Sequence, residues 1–396
     1  MSITVISSLP TLLPVGNSDV VVVSSNNTAS ANFRYVCDVS GSLSSARLKC
    51  DKLPTTSYGF FGVSKVVETL ITPQVPQLTS GWQTAGYAVN ANLTFREEFG
   101  SPPTVATGGT ASASLIAWQA AFRQQDYATY SSAQYIASVV SSATGTIAAK
   151  VFSNRPVTST LASSDSDFIG VLTQVSGIAL RVSYDGGSPR AAFLVTGSTT
   201  TLSQIINAGP YGLYNLTSAQ CSDGSAGSVN FPANGGRIAV QVTFNTLGGN
   251  TGAFSRTASY TYLIDNCERY SDLRVFFRNM YGGIDGYTFT RMNRQRVNVE
   301  RKTYGYNSSV YGDDVYDKQW SVTYRDTYTL NSDWLTDDEF GWLQEMVYSP
   351  ECWIVLSGAL VPVVVQTNTY NVRKRVVDKL QQITIDVQVG YENTAL

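Results

Sequence analysis

Three groups of acidic residues are the side chains in this sequence that could do chemistry. They are Asp165-Ser166-Asp167, Asp313-Asp314 with the neighbouring Asp317, and Asp337-Asp338-Glu339. A glycosidase needs a pair of carboxyl groups, one as the acid and the other as the base or nucleophile. The third group has a structural explanation, because negative charge stabilises the first turn of a helix that we predict there. For the Asp313-Asp314 loop we favour a solvated turn, with a cation site and sugar chemistry as the alternatives.

Most other catalytic chemistry is excluded by residues that the sequence lacks. It contains no histidine, the side chain whose unperturbed pKa lies nearest neutrality, and so no site built on histidine. It also has no phosphate-binding Gly-Lys-Ser/Thr loop, no Gly-x-Gly-x-x-Gly after a strand and no Gly-x-Ser-x-Gly. We therefore predict a protein that is not an enzyme, with no catalytic residues and no cofactor. A carboxylate-based glycan depolymerase is kept as a third alternative.

The cysteines do not suggest a metal site. They are Cys37, Cys50, Cys221, Cys267 and Cys352. They form no Cys-x-x-Cys pair and are odd in number, so we predict neither a zinc site nor a complete disulfide framework. We expect small buried apolar side chains instead. The sequence leaves open whether Cys37 and Cys50, which could flank one hairpin, form a disulfide.

A basic region lies in the last third of the chain. Residues 271–302 carry seven Arg or Lys side chains against three acidic ones, a local charge of +4. The cations are Arg274, Arg278, Arg291, Arg294, Arg296, Arg301 and Lys302, and Arg373-Lys374-Arg375 follows later. On alternating strands such charges keep a sheet soluble and guard its edge, which is the interpretation that we favour. A protein interface and a DNA-binding surface are the alternatives.

Aromatic residues are dense between Tyr304 and Tyr328. Aromatic side chains bury a large area at low entropic cost, so they are common in subunit interfaces, and their rings also stack on sugars. We expect part of them to belong to a sheet core and the rest to form a contact surface. The candidate interface residues are Tyr304, Tyr306, Tyr311, Tyr316, Trp320, Arg291, Arg294 and Arg296.

The composition indicates a β-rich protein with extensive interfaces. Of 396 residues, 43% are apolar and only 14% are charged, whereas an average soluble domain has roughly 25% charged residues. Glycine, serine, threonine, asparagine and tyrosine fill the difference. The net charge of −2 gives a field too weak to make nucleic acid the default partner.

Turn residues and a Pro-rich stretch predict three β-rich domains. They span residues 1–78, 79–265 and 266–396, with a linker at 72–76. The first domain closes with a short amphipathic helix whose apolar residues, Val63, Val66, Val67 and Leu70, recur at helical spacing. In the second, Gly/Ser/Thr-rich stretches at 105–114 and 196–203 predict exposed loops. Asp185-Gly186-Gly187 predicts a hairpin turn, and we expect the apolar run 115–118 to be a strand.

The third domain contains two patterns of strict alternation. Apolar residues alternate over 273–277, Gly282-Gly283 interrupts them, and the alternation resumes over 287–291, so we predict a hairpin. Ile383, Ile385, Val387, Val389 and Tyr391 then alternate with polar residues and predict a half-buried closing strand.

A capping box lies between these two patterns. The Thr336 hydroxyl can accept a hydrogen bond from the amide of Glu339, while the Glu339 side chain reaches back to the start of the helix. Leu335 and Phe340 supply a hydrophobic staple. We predict a helix over 337–347, with Phe340, Leu343 and Met346 or Val347 facing the core.

The N-terminal segment predicts where the chain is made. No Lys or Arg precedes Arg34, so the basic region of a secretory signal is missing. The apolar run 20–23 is far too short to cross a bilayer. We expect synthesis in a cytoplasm and no membrane partner.

Several C-terminal segments form a pattern that resembles a known class of proteins. They are 264–270, 275–290, 299–304, 348–355 and 361–365, and 275–290 reads as an aromatic strand, a Gly-Gly-x-Asp turn and a second aromatic strand. The pattern resembles tail structural proteins of tailed bacteriophages and prophages of Bacteroidetes, crass-like phages among them. The likeness covers residues 260–396 and brings no catalytic residues with it.

The resemblance implies a virion component, located in the tail and made in the host cytoplasm. Such a protein oligomerises around the tail axis as a distal-tail, hub or ring component, so we expect a homo-oligomer with other phage tail proteins as partners. The alternative is a receptor- or carbohydrate-binding tail protein whose partner is a host surface glycan. We predict a mainly β fold with several antiparallel β-sandwich or barrel-like domains and a few short helices.

Overall fold

The computed structural model describes most of the chain. The described residues are 3–7, 9–41, 44–78, 82–84, 86–131, 135–137, 151–173, 178–184, 190–193, 203–207, 236–244, 255–266, 272–307, 315–367, 373–375 and 380–395. Strands make up 53% of the structure and helices 8%, and several of the sheets are antiparallel. The predicted mainly β fold class is therefore confirmed.

Two sheets and two short helices form the N-terminal part. The strands are β1 (Ile3–Val5), β2 (Leu12–Pro14), β3 (Val20–Ser25), β4 (Arg34–Ser40), β5 (Ser45–Cys50), β6 (Tyr58–Gly62), β7 (Trp82–Thr84), β8 (Ala88–Phe99), β9 (Thr104–Val105) and β10 (Ala111–Trp118), and the helices are α1 (Ser64–Glu68) and α2 (Gln124–Tyr127). One sheet has the order β1-β3-β6, and the other has β2-β10-β8-β4-β5 with β9 beside β8. Strand β7 belongs to neither and pairs in a sheet of the central part. Their facing apolar side chains, such as Val23, Tyr35 and Leu93, form one buried core.

Two local predictions for this part have different outcomes. The amphipathic helix is confirmed as α1, with Val63 and Val67 fully buried. The predicted loop at 105–114 is wrong at its end, because residues 111–114 begin β10. Their side chains alternate between partly buried alanine and exposed serine, a period of two that small residues carry only weakly.

One sheet spans the predicted domain boundary at residue 78. β4, from the first predicted domain, pairs with β8, from the second, over seven residues from Arg34↔Glu98 to Ser40↔Asn92. β2 also pairs with β10 in parallel. Residues before and after the Pro-rich linker therefore share one sheet and one core.

The central part forms two further sheets. Its strands are β11 (Ile136–Ala137), β12 (Thr158–Leu161), β13 (Phe168–Thr173), β14 (Ile178–Tyr184), β15 (Arg190–Phe193), β16 (Ser203–Asn207), β17 (Arg237–Phe244) and β18 (Ser255–Ile264). The sheet orders are β11-β13-β16-β7 and β12-β18-β17-β14-β15. The predicted hairpin is confirmed by the antiparallel pairing of β14 with β15, although its Asp185-Gly186-Gly187 turn lies outside the described residues. Residues 196–202 of the loop predicted at 196–203 also lie outside them, and its last residue, Ser203, begins β16.

An eight-stranded sheet dominates the C-terminal part. The strands are β19 (Leu273–Arg278), β20 (Ile284–Phe289), β21 (Arg294–Asn307), β22 (Val315–Asn331), β23 (Cys352–Leu356), β24 (Ala359–Val365), β25 (Arg373–Arg375), β26 (Leu380–Gln382), β27 (Thr384–Val389) and β28 (Asn393–Ala395). The eight-stranded sheet has the order β20-β19-β23-β24-β27-β22-β21, with β28 beside β22, while β25 and β26 form a separate two-stranded sheet. Both predicted alternations are confirmed: β19 and β20 form the hairpin, and β27 buries Ile385, Val387 and Val389 while Tyr391 lies beyond it and is exposed.

The predicted helix is present, but it is divided. Helix α3 (Asp337–Leu343) begins with the capping box of Thr336 and Glu339, and α4 (Glu345–Tyr348) follows after Gln344. The side chains of Phe340, Leu343 and Met346 are buried in the core of the C-terminal sheet. The helix thus covers one face of that sheet, as its pattern predicts.

A shared hydrophobic cluster joins the three parts of the chain. It contains Tyr87, Phe168, Phe276, Ile284 and Trp353, and the rings of Phe168 and Phe276 lie 4.9 Å apart between centroids.

Within the ranges that the structure describes, no helix has both the length and the apolar character needed to span a membrane.

Candidate functional site

Strands β21 and β22 form a long antiparallel hairpin at one edge of the eight-stranded sheet. They pair from Arg294↔Thr329 to Asn307↔Val315, whereas β27 pairs with β22 only over 327–331 and β28 only over 322–324. The end formed by 303–307 and 315–319 therefore extends past the other strands. We call β21 together with β22 the hairpin arm.

The outer strand of the hairpin arm is open to solvent over residues 294–305. β21 is the last strand of its sheet, and every residue from 294 to 305 is exposed. The apolar residues Val297 and Val299 are 52% and 40% exposed. Natural sheets protect such an edge with charges and bulges. β21 carries charges, and the bulge lies on its partner β22, where Trp320 is the extra residue between Gln319 and Ser321. Within the described ranges, β22 is the one strand that pairs with β21.

The predicted interface aromatics belong to this arm. Tyr304 is 41% exposed and Trp320 is 64% exposed, and Lys302 Nζ lies 5.9 Å from the centroid of the Trp320 ring. The backbones of Tyr306 and Tyr316 are directly opposite each other in the hairpin. Tyr311 lies outside the described residues.

The predicted basic region divides into exposed and buried arginines. Arg294 and Arg296 are exposed on β21, while Arg291 is partly buried and pairs with Asp333. Arg274 and Arg278 are buried, so the expectation that these cations lie on a solvated sheet face is wrong for those two. Each is instead paired with a carboxylate, as burial of a charge requires.

A buried ionic network surrounds Asp167. The Arg274 guanidinium donates to Asp167 Oδ1 at 2.9 Å, and Arg155 donates to the other oxygen, Oδ2. The Tyr262 hydroxyl donates to that same Oδ2 at 2.8 Å. Sequence reasoning missed Arg155 and Tyr262 because neither belongs to a local motif. Tyr262 also lies 95 positions from Asp167 in the chain.

Asp285, from the Gly-Gly-x-Asp turn, lies fully buried beside this network. Its Oδ2 accepts hydrogen bonds from Trp342 Nε1 at 2.8 Å and from Asn279 Nδ2 at 2.9 Å. Burial raises the pKa of Asp285 above its ordinary value, while the Arg155 charge and the hydrogen bonds act against that rise. Asp285 therefore connects helix α3 to the β19–β20 hairpin.

An open groove lies next to the network. A cavity of about 400 Å³ is lined by β12 on one side and by Gly286, Tyr287 and Thr288 of β20 on the other. It adjoins a second cavity of about 750 Å³ beside the start of α3, and both are lined by Arg155, Glu339 and Trp342. We call the two cavities together the acidic groove, since nine carboxylates and four guanidinium groups among the described residues line it, a formal charge of −5.

The three acidic groups have different surroundings in the structure. Asp167 belongs to the buried network, and Asp165 Oδ2 accepts hydrogen bonds from the Ala162 amide and the Thr288 hydroxyl, both at 3.1 Å. Glu339 Oε2 accepts from the Thr336 amide at 2.8 Å in the capping box. Asp313 and Asp314 lie outside the described residues. The first group thus joins distant segments of the chain, whereas the third stabilises the start of helix α3.

The cysteines in the described ranges are free thiols. Cys37 and Cys50 lie on the paired strands β4 and β5, and Cys352 begins β23. Burial raises the pKa of the Cys37 and Cys352 thiols to about 12, so both stay protonated near neutral pH and behave as small apolar side chains. Cys221 and Cys267 lie outside the described residues.

Within the part of the chain that the structure describes, no three His, Cys, Asp or Glu side chains are grouped so that they could hold a metal ion.

No model of a known protein family matches this chain, and no curated protein matches its sequence. The function is therefore inferred from the residues and their arrangement.

Proposed function

We propose that this chain is a structural protein of a bacteriophage tail, which assembles with copies of itself and with other tail proteins into a ring, hub or adaptor. Its location is the tail of the virion. The protein acts by binding other subunits and does not act as an enzyme.

The observation that carries this proposal is the exposed edge of β21. An edge strand of 14 residues extends about 48 Å at roughly 3.4 Å per residue. Its outer amide and carbonyl groups are oriented to pair with another chain. Exposed valines and aromatic rings on the same arm add the apolar area that a stable interface needs.

The composition and the resemblance support the same proposal. Only 14% of the residues are charged, as suits a chain that buries much of its surface in contacts with other subunits. The hairpin of β19 and β20, which is one of the segments that resemble phage tail proteins, lies at the opposite edge of the sheet from the arm. One sheet thus links the two.

A glycan-binding tail protein is the second candidate. The observation that favours it is the exposure of Trp320 and Tyr304, since flat aromatic rings stack on sugars. The two candidates differ in what covers these rings. In a ring-forming protein a neighbouring subunit buries them, whereas in a glycan-binding protein they stay open at a tip.

Electron microscopy of the phage whose genome encodes this chain tests the proposal. A gold-labelled antibody against the chain should bind the tail, and images of the purified protein should show a closed oligomer. Labelling of the capsid alone, or absence of the chain from the particle, would refute a tail role. Binding of the purified monomer to host glycans, lost in Trp320→Ala, would favour the second candidate instead.

A further inference from the structure

Two unpaired strand edges line the acidic groove. β12 is the terminal strand of the five-stranded sheet and β20 is the terminal strand of the eight-stranded sheet. β12 pairs with β18, β20 pairs with β19, and in the described ranges no strand pairs with the outer edge of either. An added strand in the groove would find backbone hydrogen-bonding groups beside it.

The charge of the groove restricts what such a strand can be. Its formal charge is −5 among the described residues. This net charge already includes the arginines that pair inside the groove, since Arg155 and Arg274 pair with Asp167, and Arg291 pairs with Asp333. Asp126 and Asp338 are exposed at the end of the groove beside α3. A basic strand is therefore favoured there over a neutral or acidic one.

The hairpin arm of this same chain has the complementary charge. β21 carries Arg294, Arg296, Arg301 and Lys302 against Glu300, a charge of +3. If two β21 edges paired with each other, two strands of charge +3 would lie side by side and repel each other. The arm is thus better matched to the groove than to a second arm.

We propose that the acidic groove between β12 and β20 binds the β21 edge of a second copy of this chain. The inference rests on the proposed function, since it names the two surfaces through which subunits of a tail assembly join. Each copy contributes an arm on one side and a groove on the other, so the contact is head to tail. Such a contact closes into a ring when the rotation between subunits allows it.

Charge reversal on each surface tests the pairing. The arm variant carries Arg294→Glu and Arg296→Glu, and the groove variant carries Asp126→Arg and Asp338→Arg; all four residues are exposed. The arm variant changes the charge of β21 from +3 to −1, and the groove variant changes the lining of the cavity beside α3 from −2 to +2. In either variant alone, the arm and that end of the groove therefore have like charges, so we expect self-association to weaken about 100-fold or more. Sedimentation velocity of the full chain over a range of concentrations measures this change.

An equimolar mixture of the two variants is the decisive measurement. The acidic arm of the arm variant then faces the basic α3 end of the groove in the groove variant, and the basic arm of the groove variant faces an unaltered acidic groove. We expect the mixture to recover the size of the wild-type oligomer, with the two variants in equal amounts by native mass spectrometry.

A control variant matches the change in net charge of the arm variant. Arg34→Glu with Lys65→Glu alters two exposed cations outside the arm and should leave assembly unchanged. Melting curves of all variants show whether each is folded. If a reversal at Asp126 or Asp338 prevents folding, Asp126→Asn with Asp338→Asn should still weaken assembly, by a smaller factor.

The outcomes separate this inference from the proposed function. A groove variant that assembles like the wild type, or a mixture that fails to recover, would overturn the pairing even if microscopy places the chain in the tail. A wild-type chain that stays monomeric at every concentration would also overturn it. The pairing is supported if each variant alone assembles poorly and their equimolar mixture recovers the oligomer.

Discussion

The Arg274 guanidinium lies 2.9 Å from Asp167 Oδ1, with both side chains almost completely buried. This ion pair joins β19 of the C-terminal sheet to the residue just before β13 in the central part. Arg155 and Tyr262 complete the coordination of the carboxylate. The two parts are therefore held together by a charged contact as well as by apolar packing.

Removal of the Asp167 carboxylate should destabilise the fold strongly. Asp167→Ala leaves the buried charges of Arg155 and Arg274 without their partner, which typically costs about 3–5 kcal/mol. Asp51→Ala is the matched control, since it breaks a surface pair with Arg34 in which the side chains are 74% and 54% exposed, worth at most about 1 kcal/mol. Urea unfolding measures both, and equal losses would contradict the importance of the buried network.

Asp285 should make stability depend on pH. Because burial raises its pKa above 3.8 in the folded chain, the native state binds the proton more tightly than the unfolded state does. The stability that the protonated Asp285 side chain adds is therefore fully present below pH 3.8, and it is lost as the pH rises through the raised pKa of the folded state. Asp285→Asn cannot ionise, so its stability relative to the wild type should increase with pH across that window.

Urea unfolding of the wild type and Asp285→Asn at a series of pH values tests this expectation. Other groups titrate in both proteins, so the informative quantity is the difference between the two free energies of unfolding. A difference that does not change with pH would mean that Asp285 keeps its ordinary pKa in the fold.

The turn between β19 and β20 should tolerate no side chain at Gly282. Gly282 has φ of +74°, and an added Cβ would overlap the carbonyl oxygen of Gln119. Gly358 is a matched control, because its φ of +77° is similar and nothing lies within 4 Å of an added Cβ. Gly358→Ala should cost about 1–2 kcal/mol from backbone strain alone, and Gly282→Ala about 1–3 kcal/mol more from the overlap. Similar melting temperatures for the two variants would show that the contact with Gln119 does not restrict the turn.

The start of helix α3 allows a comparison of a cap with a core residue. Thr336→Ala removes the cap, which typically costs about 1 kcal/mol. Phe340→Ala removes a large side chain that is only 5% exposed and should cost about 3–5 kcal/mol. We expect Phe340→Ala to weaken assembly more as well, since α3 packs against the sheet that carries the arm. Thermal denaturation and sedimentation measure the two effects, and equal small losses would place the interface elsewhere.

Local signals in the sequence predicted local structure well. The capping box at Thr336, the alternation in β27 and the Gly-Gly turn after β19 each depend on residues a few positions apart, whose hydrogen bonds and packing directions follow from backbone geometry. The composition was enough to predict a mainly β chain. The aromatic and basic residues of the arm could also be identified, since 294–320 is dense in both.

Contacts between distant segments were decided only by the tertiary structure. β19 places Arg274 and Arg278 on one face, which predicted that this face is solvated, yet every residue from Arg274 to Arg278 is buried. A strand pattern cannot show whether a second layer covers the polar face, and here Asp167 meets Arg274 on that face. The sheet that spans residue 78 and the groove between β12 and β20 arise in the same way. Each depends on strands brought together by packing of the whole chain, for which the local sequence contains no signal.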